Sequence, residues 1–103
     1  MSTRLVNMRV ERGTVYIGRR AGSAHFGNPF SHKRGTIAKV RVATRQAAIA
    51  AFRDWLSGAA HSDVEPERRV WILANMHTLR GQVLECFCKP LDCHGDVYLE
   101  LVG

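Results

Sequence analysis

Three cysteines lie close together near the end of the 103-residue sequence, in the run ECFCKPLDCHGD at positions 85–96. The same run holds a histidine and two aspartates, so it combines metal ligands, nucleophiles and acid–base groups. The number of cysteines is odd, and Cys86 and Cys88 are separated by a single residue. Both facts argue against a disulfide framework. We therefore expect reduced thiols, which are typical of a cytosol-like compartment.

Cys93 is the candidate nucleophile of this run. The sequence DVYLELV predicts a short helix that begins at Asp92 or Cys93, and a thiol in a first helical turn meets the positive end of the helix dipole. His94 and Asp96 complete the set of candidate catalytic residues. The competing interpretation is capping, in which Asp92 closes the first turn and Asp96 reaches back to an amide. Gly95 would let an anion approach the start of the helix.

Zinc binding is the alternative use of the same side chains. Suitable ligand atoms occur in four residues, namely Cys86, Cys88, Cys93 and His94. The spacing is unfavourable, because Cys93 and His94 would project about 100° apart at a helix start. We favour packed thiols on a buried strand for the first two cysteines. We expect no cofactor, and zinc stays open as the alternative.

A second group of candidate residues lies in VYIGRRAGSAHFGNPF, positions 15–30. A predicted strand ends at Gly18 and Arg19, and the loop that follows presents Asn28. Gly27 permits a positive φ and Pro29 keeps Asn28 extended, so that its amide could meet a base edge. The two phenylalanines beside this turn are expected to anchor the loop to the core. The candidate ligand-binding residues are Tyr16, Gly18, Arg19, Asn28 and Gly95.

The charge is distributed very unevenly along the chain. The net charge is +6, yet residues 1–53 contain eleven Lys or Arg and one acid, whereas residues 54–103 contain four and eight. No acid occurs between Arg12 and Arg53. This pattern favours a phosphate-bearing partner, although a basic surface also serves solubility. The candidate nucleic-acid-binding residues are Arg20, Lys33, Arg34 and Lys39.

The composition narrows the class of protein. A hydrophobic content of 46% in 103 residues suits a single small domain with its own core. No apolar run approaches the roughly 18 residues of a membrane span, and the N-terminal sequence lacks the apolar stretch of a secretory signal. We therefore expect a soluble, cytoplasmic protein without a membrane partner.

The first half of the sequence predicts two strands and a helix. The runs RLVNMRV (4–10) and TVYIGR (14–19) are expected to form a hairpin across ERG. Residues 20–40 show no period and predict a long functional loop. A helix should follow, with Thr44 as N-cap and Gly58 as its stop.

The second half predicts a helix, a strand and a helix. A helix starts near Pro66 and ends at Gly81, and its expected apolar face contains Val70, Leu73, Met76, His77 and Leu79. QVLECFC (82–88) predicts a buried strand, and the DVYLELV helix closes the sequence. The predicted fold class is α/β, a small sheet flanked by helices in the order β-β-α-α-β-α.

Several motifs together resemble a family of phage and bacterial proteins known as domain of unknown function 4326: YIGR, FGNPF, AAIAAFRDWL, LRGQVLECFC and CKPLDCHGDV. The matching positions are Tyr16, Gly18, Arg19, Gly27, Asn28, Pro29, Cys88, Pro90, Cys93, His94, Gly95 and Asp96. The resemblance implies a phage-type origin and a role around nucleotides or nucleic acid, with no reaction attached. One departure is the AGSAH segment before FGNPF, where relatives often carry a shorter polar or tryptophan-bearing stretch.

These observations predict one site that joins the Gly18–Arg19 strand end, the Asn28 loop and the helix start at 93–96. The first hypothesis is a protein that binds a nucleotide or nucleic acid there. Arg19 would hold phosphate, Asn28 would orient a base or sugar, and Cys93 or Asp96 would do any chemistry. The alternative is a non-catalytic module whose basic half binds nucleic acid or a host protein. The sequence leaves enzymatic activity and the oligomeric state open.

Overall fold

A computed structural model describes residues 3–20, 22, 24–33, 38–89 and 91–102. In chain order its elements are β1 (Arg4–Asn7), β2 (Val15–Tyr16), β3 (Phe30–Ser31), β4 (Val40–Arg41), α1 (Arg45–Ser57), α2 (Pro66–Asn75), a 3-10 helix (Met76–Leu79), β5 (Val83–Cys86) and α3 (Gly95–Val102). The predicted α/β class is confirmed, and the six predicted elements occur in the predicted order. The structure adds the two-residue strands β3 and β4, which pair with each other in parallel.

The main sheet has the order β1-β5-β2, and both outer strands run parallel to β5. Leu84, at the centre of β5, is fully buried. An apolar strand covered on both faces is typical of a parallel sheet. β5 therefore links the beginning of the chain to its end.

The predicted hairpin between the first two strands is wrong. β1 ends at Asn7, where the chain turns at once, because the amides of Val10 and Glu11 both donate to the Asn7 carbonyl. The amides of Thr14 and Ile17 then donate to carbonyls of β5 instead of β1. The apolar β5 gains two partners in this arrangement, whereas a hairpin would have left it at the edge of the sheet.

An acidic side chain helps to fix the start of β2. Glu85 lies in β5 and is only 5% exposed. Its carboxylate accepts a hydrogen bond from the Gly13 amide at 3.0 Å and pairs with the Arg12 guanidinium at 2.7 Å. These contacts lower the pKa of Glu85, with the Arg12 hydrogen bond as the largest cause. The ionised acid thus replaces a hairpin turn as the anchor of β2.

The ends of α1 agree with the sequence prediction. The Thr44 hydroxyl accepts a hydrogen bond from the Ala47 amide, and Gly58 adopts the left-handed conformation at φ 86°. Phe52 and Trp55 are almost completely buried. The helix therefore places its carboxyl half in the core and leaves its first turn beside the loop that holds Asn28.

The apolar face of the second predicted helix is correct at Leu79, which is fully buried in the 3-10 helix after α2, but wrong within α2 itself. Val70 is 62% exposed and Leu73 is 39% exposed, whereas Arg68 and Ile72 face the interior. Residues 68 and 72 are four positions apart, so they lie on one side of the helix. The sequence prediction missed this face because one of its two anchors is an arginine.

Arg68 is a fully buried cation that connects α2 to the loop containing Phe26. Its Nη1 donates to the carbonyls of His25 and Gly27, at 3.2 and 2.6 Å. Its other nitrogens donate to the Glu65 carboxylate. The guanidinium carbon also lies 5.4 Å from the centroid of the Trp55 ring. Every nitrogen of the guanidinium thus has a protein acceptor.

The long segment predicted as a functional loop is anchored in the core. Phe26 and Phe30 are 8% and 1% exposed, which confirms that they anchor the loop. Phe26 packs against Trp71 and Tyr98 with ring centroids 4.9 and 5.7 Å apart. Residues 25–31 are consequently all buried.

No helix in the described ranges has both the length and the apolar character that crossing a bilayer would require.

The buried contacts of Arg68 predict a large loss of stability on its removal. Arg68→Met keeps much of the side-chain volume but leaves two buried carbonyls without a donor and Glu65 without its partner. We expect the free energy of unfolding to fall by about 3 kcal/mol, measured by urea denaturation. Arg53→Met is the matched control, because it removes an exposed ion pair with Glu100 and should cost clearly less. Equal losses in the two variants would contradict the anchoring role of Arg68.

Candidate functional site

A cavity of about 390 Å³ opens between the ends of β2 and β5, the loop at 28–33 and the first turns of α1. Six of the predicted site residues line it: Tyr16, Gly18, Arg19, Asn28, Cys93 and His94. Lys33, predicted as a nucleic-acid contact, lines it as well. Segments that are distant in sequence therefore meet at one cavity, as the predicted convergence requires.

Arg19 is the cation at the centre of this region, because it lines both this cavity and a second one of about 270 Å³. Its Nε is buried and has no hydrogen-bond partner within the described part of the chain. Burial lowers the pKa of Arg19, while the nearby Cys88 and Tyr16 act in the opposite direction. A buried donor without an acceptor is costly, and an anionic ligand would supply one.

Close packing of glycines brings the Arg19 strand end and the Asn28 loop together. A Cβ on Gly27 would lie 2.7 Å from the Arg19 Cα, so only glycine allows the two backbones to touch. Gly27 is not among the described glycines with positive φ, and the predicted conformational reason is therefore wrong. Gly18 is covered in a similar way by the Tyr16 ring, whose hydroxyl oxygen would lie 2.0 Å from an added Cβ.

Asn28 has a structural role in addition to lining the cavity. Its Nδ2 donates to the Ala48 carbonyl at 3.0 Å, and its Oδ1 accepts from the Phe30 amide at 2.9 Å. The residue is 5% exposed. The prediction of a freely displayed amide is therefore wrong, because Nδ2 joins the loop to α1 and Oδ1 accepts a hydrogen bond from the loop itself.

His94 is buried and held in one tautomer. Its Nε2 lies 2.9 Å from the Ile17 carbonyl oxygen and 3.1 Å from that of Phe26. Two acceptors require a proton on Nε2, which leaves Nδ1 as the acceptor in the neutral ring, 3.5 Å from the Cys93 sulfur. Burial lowers the pKa of His94 to about 4. The neutral imidazole is thus a fixed part of the cavity wall.

The three thiols all line the cavity but differ in burial. Cys86 is 3% exposed and Cys93 is 2% exposed, whereas Cys88 is half-buried. The thiols of Cys86 and Cys93, and then the Arg45 guanidinium, lower the pKa of Cys88, whereas the neighbouring thiols and burial raise the pKa of Cys93. The thiol that is accessible from the cavity is therefore that of Cys88, not that of the predicted nucleophile Cys93.

Asp96 and Gly95 serve α3 and lie outside the residues that line the cavity. One Asp96 oxygen accepts from the Cys93 amide at 3.1 Å, and the other pairs with Lys89 at 2.9 Å. This is the capping arrangement that was weighed against catalysis. A Cβ on Gly95 would lie 2.7 Å from Ile17, so core side chains occupy the space that was expected to admit a ligand. Asp92 lines the cavity, and its carbonyl accepts from Arg45.

The remaining predicted contacts separate into two groups. Arg20 and Lys39 line the second cavity, which shares Arg19 and Asn28 with the first. Arg34, together with Pro90 of the cysteine run, lies outside the described residues. The predicted nucleic-acid contacts that the structure describes are therefore divided between two adjoining cavities.

Arg45 is the site residue that sequence reasoning missed. It begins α1 directly after the Thr44 cap and lines the cavity together with Cys88. The first turn of α1 contains no acid to neutralise it. The signal in the sequence was an arginine at a helix start, where acids are usually favoured.

In the described ranges no group of three or more His, Cys, Asp or Glu side chains is arranged to hold a metal ion. Cys86, Cys88 and Cys93 all line the cavity. The zinc alternative stays a prediction that elemental analysis of the purified protein would test.

The fold and the cavity define a small α/β protein with a basic, thiol-lined site. The chain belongs to the family described as Domain of unknown function (DUF4326), whose model matches residues 2–103. No curated protein and no solved structure matches the chain. The family membership suggested by the sequence motifs is therefore confirmed.

The buried, neutral His94 predicts that the protein loses stability as the pH falls from 7 to 5. In the unfolded chain a histidine titrates near pH 6.5, whereas the folded pKa of His94 is about 4, so the unfolded state takes up the proton first. Linkage then gives a loss of about 2 kcal/mol over this interval, and the full stability is recovered above pH 6.5. Urea denaturation at pH 7 and pH 5 measures this difference in the free energy of unfolding.

His94→Gln should show a smaller decrease between the same two pH values, because it removes this titrating group. His25, whose pKa is also lowered by burial, contributes in the same direction and is unchanged in the variant. If the variant does not fold, NMR titration of His94 in the original protein provides the test. A His94 signal that titrates near pH 6.5 would contradict the buried neutral ring.

Proposed function

We propose that this protein binds a nucleotide in the cavity of about 390 Å³, with the phosphate at Arg19. The observation that carries the proposal is the buried Nε of Arg19, which lacks a hydrogen-bond partner in the described part of the chain. A phosphate oxygen accepts strong charge-assisted hydrogen bonds from a guanidinium. A phosphate oxygen could therefore accept the hydrogen bond that the Arg19 Nε leaves unused.

The charge around the cavity supports an anionic ligand. Besides Arg19, the lining residues include Lys33 and Arg45, whereas Asp92 is the one carboxylate among the described lining residues. Lys33 is exposed and Arg45 is half-buried, so both are accessible from the cavity opening. Several cations around one cavity focus the field and attract phosphate.

The remaining lining suits the uncharged part of a nucleotide. Phe30 and Ile49 supply apolar surface, and Phe87 is 48% exposed at the opening. The Tyr16 and Phe87 rings pack edge to face with centroids 6.1 Å apart. Aromatic side chains of this kind bind bases by stacking. The volume also falls in the range of about 300–1,000 Å³ that is usual for small-molecule sites.

A nucleic-acid strand is the second candidate ligand. The second cavity adjoins the first through Arg19 and adds Arg20 and Lys39, which together extend the basic surface. A strand with several phosphates could follow both cavities, whereas a single nucleotide needs one. The long acid-free part of the sequence favours this candidate, and binding without any catalysis is compatible with it.

Titration calorimetry at low salt distinguishes these ligands. We expect saturable binding of nucleoside phosphates and weaker binding of the matching nucleoside or of inorganic phosphate alone. Arg19→Met should reduce the affinity at least tenfold, because a charge-assisted hydrogen bond contributes about 1.5–3 kcal/mol. Arg41→Met, which removes an exposed arginine that lines neither cavity, is the control and should bind normally. No binding of any nucleoside phosphate at millimolar concentration would overturn the proposal.

Oligonucleotides provide the comparison for the second candidate. If a strand occupies both cavities, its affinity should exceed that of the mononucleotide and decrease steeply with salt, because each phosphate contact releases counterions. Replacing Lys33 and Lys39 together with Ala should lower the salt dependence. An affinity for oligonucleotides no greater than that for one nucleotide would restrict the site to the small ligand. Binding of neither would favour a protein partner.

A further inference from the structure

The thiol cluster lies at the wall of the cavity, and its three members differ in accessibility. Cys86, at the end of β5, is 3% exposed and Cys93 is 2% exposed. Cys88 is half-buried, follows the end of β5 by two residues, and lines the cavity together with Arg45 and Arg19. Two enclosed thiols thus flank one thiol that a ligand can reach.

We propose that Cys88 is a nucleophile that forms a covalent bond with an electrophilic carbon of an anionic compound bound in this cavity. The proposal shares the cavity with the proposed function but does not require that the compound is a nucleotide. It also changes the role expected from the sequence, in which Cys93 was the candidate nucleophile.

The contacts of Cys88 stabilise its ionised form. Its thiol lines the cavity together with the guanidinium groups of Arg19 and Arg45, and the neighbouring thiols of Cys86 and Cys93, followed by Arg45, lower its pKa. The Arg19 guanidinium lies near enough to interact with the same charge. Cationic and hydrogen-bond-donating neighbours favour a thiolate, which is the reactive form of cysteine.

Cys93 is unsuited to the same role. Its sulfur accepts a hydrogen bond from the Gly95 amide at 3.4 Å and lies 3.5 Å from His94 Nδ1, within the buried start of α3. Burial keeps its thiol protonated and limits the approach of a substrate. Cys93 therefore borders the cavity as an enclosed, protonated neighbour of Cys88.

The proposed step is a substitution without any change of oxidation state at sulfur. The Cys88 lone pair forms a bond to the substrate carbon while the bond from that carbon to its leaving group breaks. The leaving group departs with the electron pair of the broken bond. Arg45 or Arg19 can stabilise its negative charge, as cations do where charge develops in a transition state. No oxidant or metal ion is needed.

Alkylation of the reduced protein at pH 6 tests the proposal without knowledge of the substrate. In the reaction with iodoacetamide the thiolate displaces iodide, and peptide mapping by mass spectrometry identifies the modified residue. An ordinary thiol of pKa about 8.5 is only about 0.3% ionised at this pH. A lowered pKa raises the ionised fraction at this pH, and the lower nucleophilicity of a less basic thiolate limits the expected acceleration to roughly fivefold to tenfold.

The reference rate is that of Cys88 in the same protein unfolded by urea at pH 6. We expect native Cys88 to react faster than this reference, and Cys86 and Cys93 to react more slowly than theirs. Native Cys88 that reacts no faster than in the unfolded chain would overturn the proposal. Preferential labelling of Cys93 would overturn it as well.

Comparison of a charged with a neutral reagent tests the anionic substrate class. Relative to the unfolded chain, native Cys88 should prefer iodoacetate over iodoacetamide, because Arg19 and Arg45 attract the carboxylate. Arg45→Met should reduce both this preference and the rate at pH 6, whereas Arg41→Met should change neither. An unchanged preference in Arg45→Met would refute the assigned role of the cationic wall.

The outcomes separate this proposal from nucleotide binding. Rapid alkylation of Cys88 without measurable nucleotide affinity would support the nucleophile and reject the nucleotide. Nucleotide binding with an unreactive Cys88 would support the nucleotide and reject the nucleophile. If both hold, a saturating nucleotide should protect Cys88 from alkylation at least severalfold, since the two ligands would compete for one cavity.

Discussion

The backbone carbonyls of His25, Phe26 and Gly27 are buried outside any regular element, and polar side chains from two helices supply their donors. Arg68 donates to the first and third, while His94 and Tyr98 both approach the Phe26 oxygen. Leaving a buried carbonyl without a donor costs about 1–3 kcal/mol. The positions of α2 and α3 are thus coupled to one short loop through hydrogen bonds rather than through apolar packing alone.

This coupling also fixes the cavity. The loop that these side chains hold carries Gly27, whose backbone touches Arg19, and Asn28, whose amide is bonded to α1. The cation proposed to bind phosphate is therefore attached to a buried polar network and not to an exposed flexible turn. A site supported in this way is organised before the ligand arrives, so binding need not pay for ordering the loop.

Local features of the fold could be predicted from the sequence, and features that depend on distant partners could not. The caps Thr44 and Gly58 act within a few residues of themselves, and the prediction located them correctly. The role of Arg68 was missed because its acceptors lie some forty positions earlier in the chain. The greater accessibility of Cys88 was missed for a similar reason, since residues that line the cavity with it, such as Arg45, come from other elements.

The central position of β5 has a consequence for how the protein folds. β1 and β2 do not pair with each other, and each finds its partner only in β5, near the opposite end of the chain. Pairings between such distant segments require a large loop to close before any sheet hydrogen bond forms, which slows folding. During synthesis the first two strands must wait for β5, whereas α1 and α2, which are adjacent in sequence, can form and meet earlier.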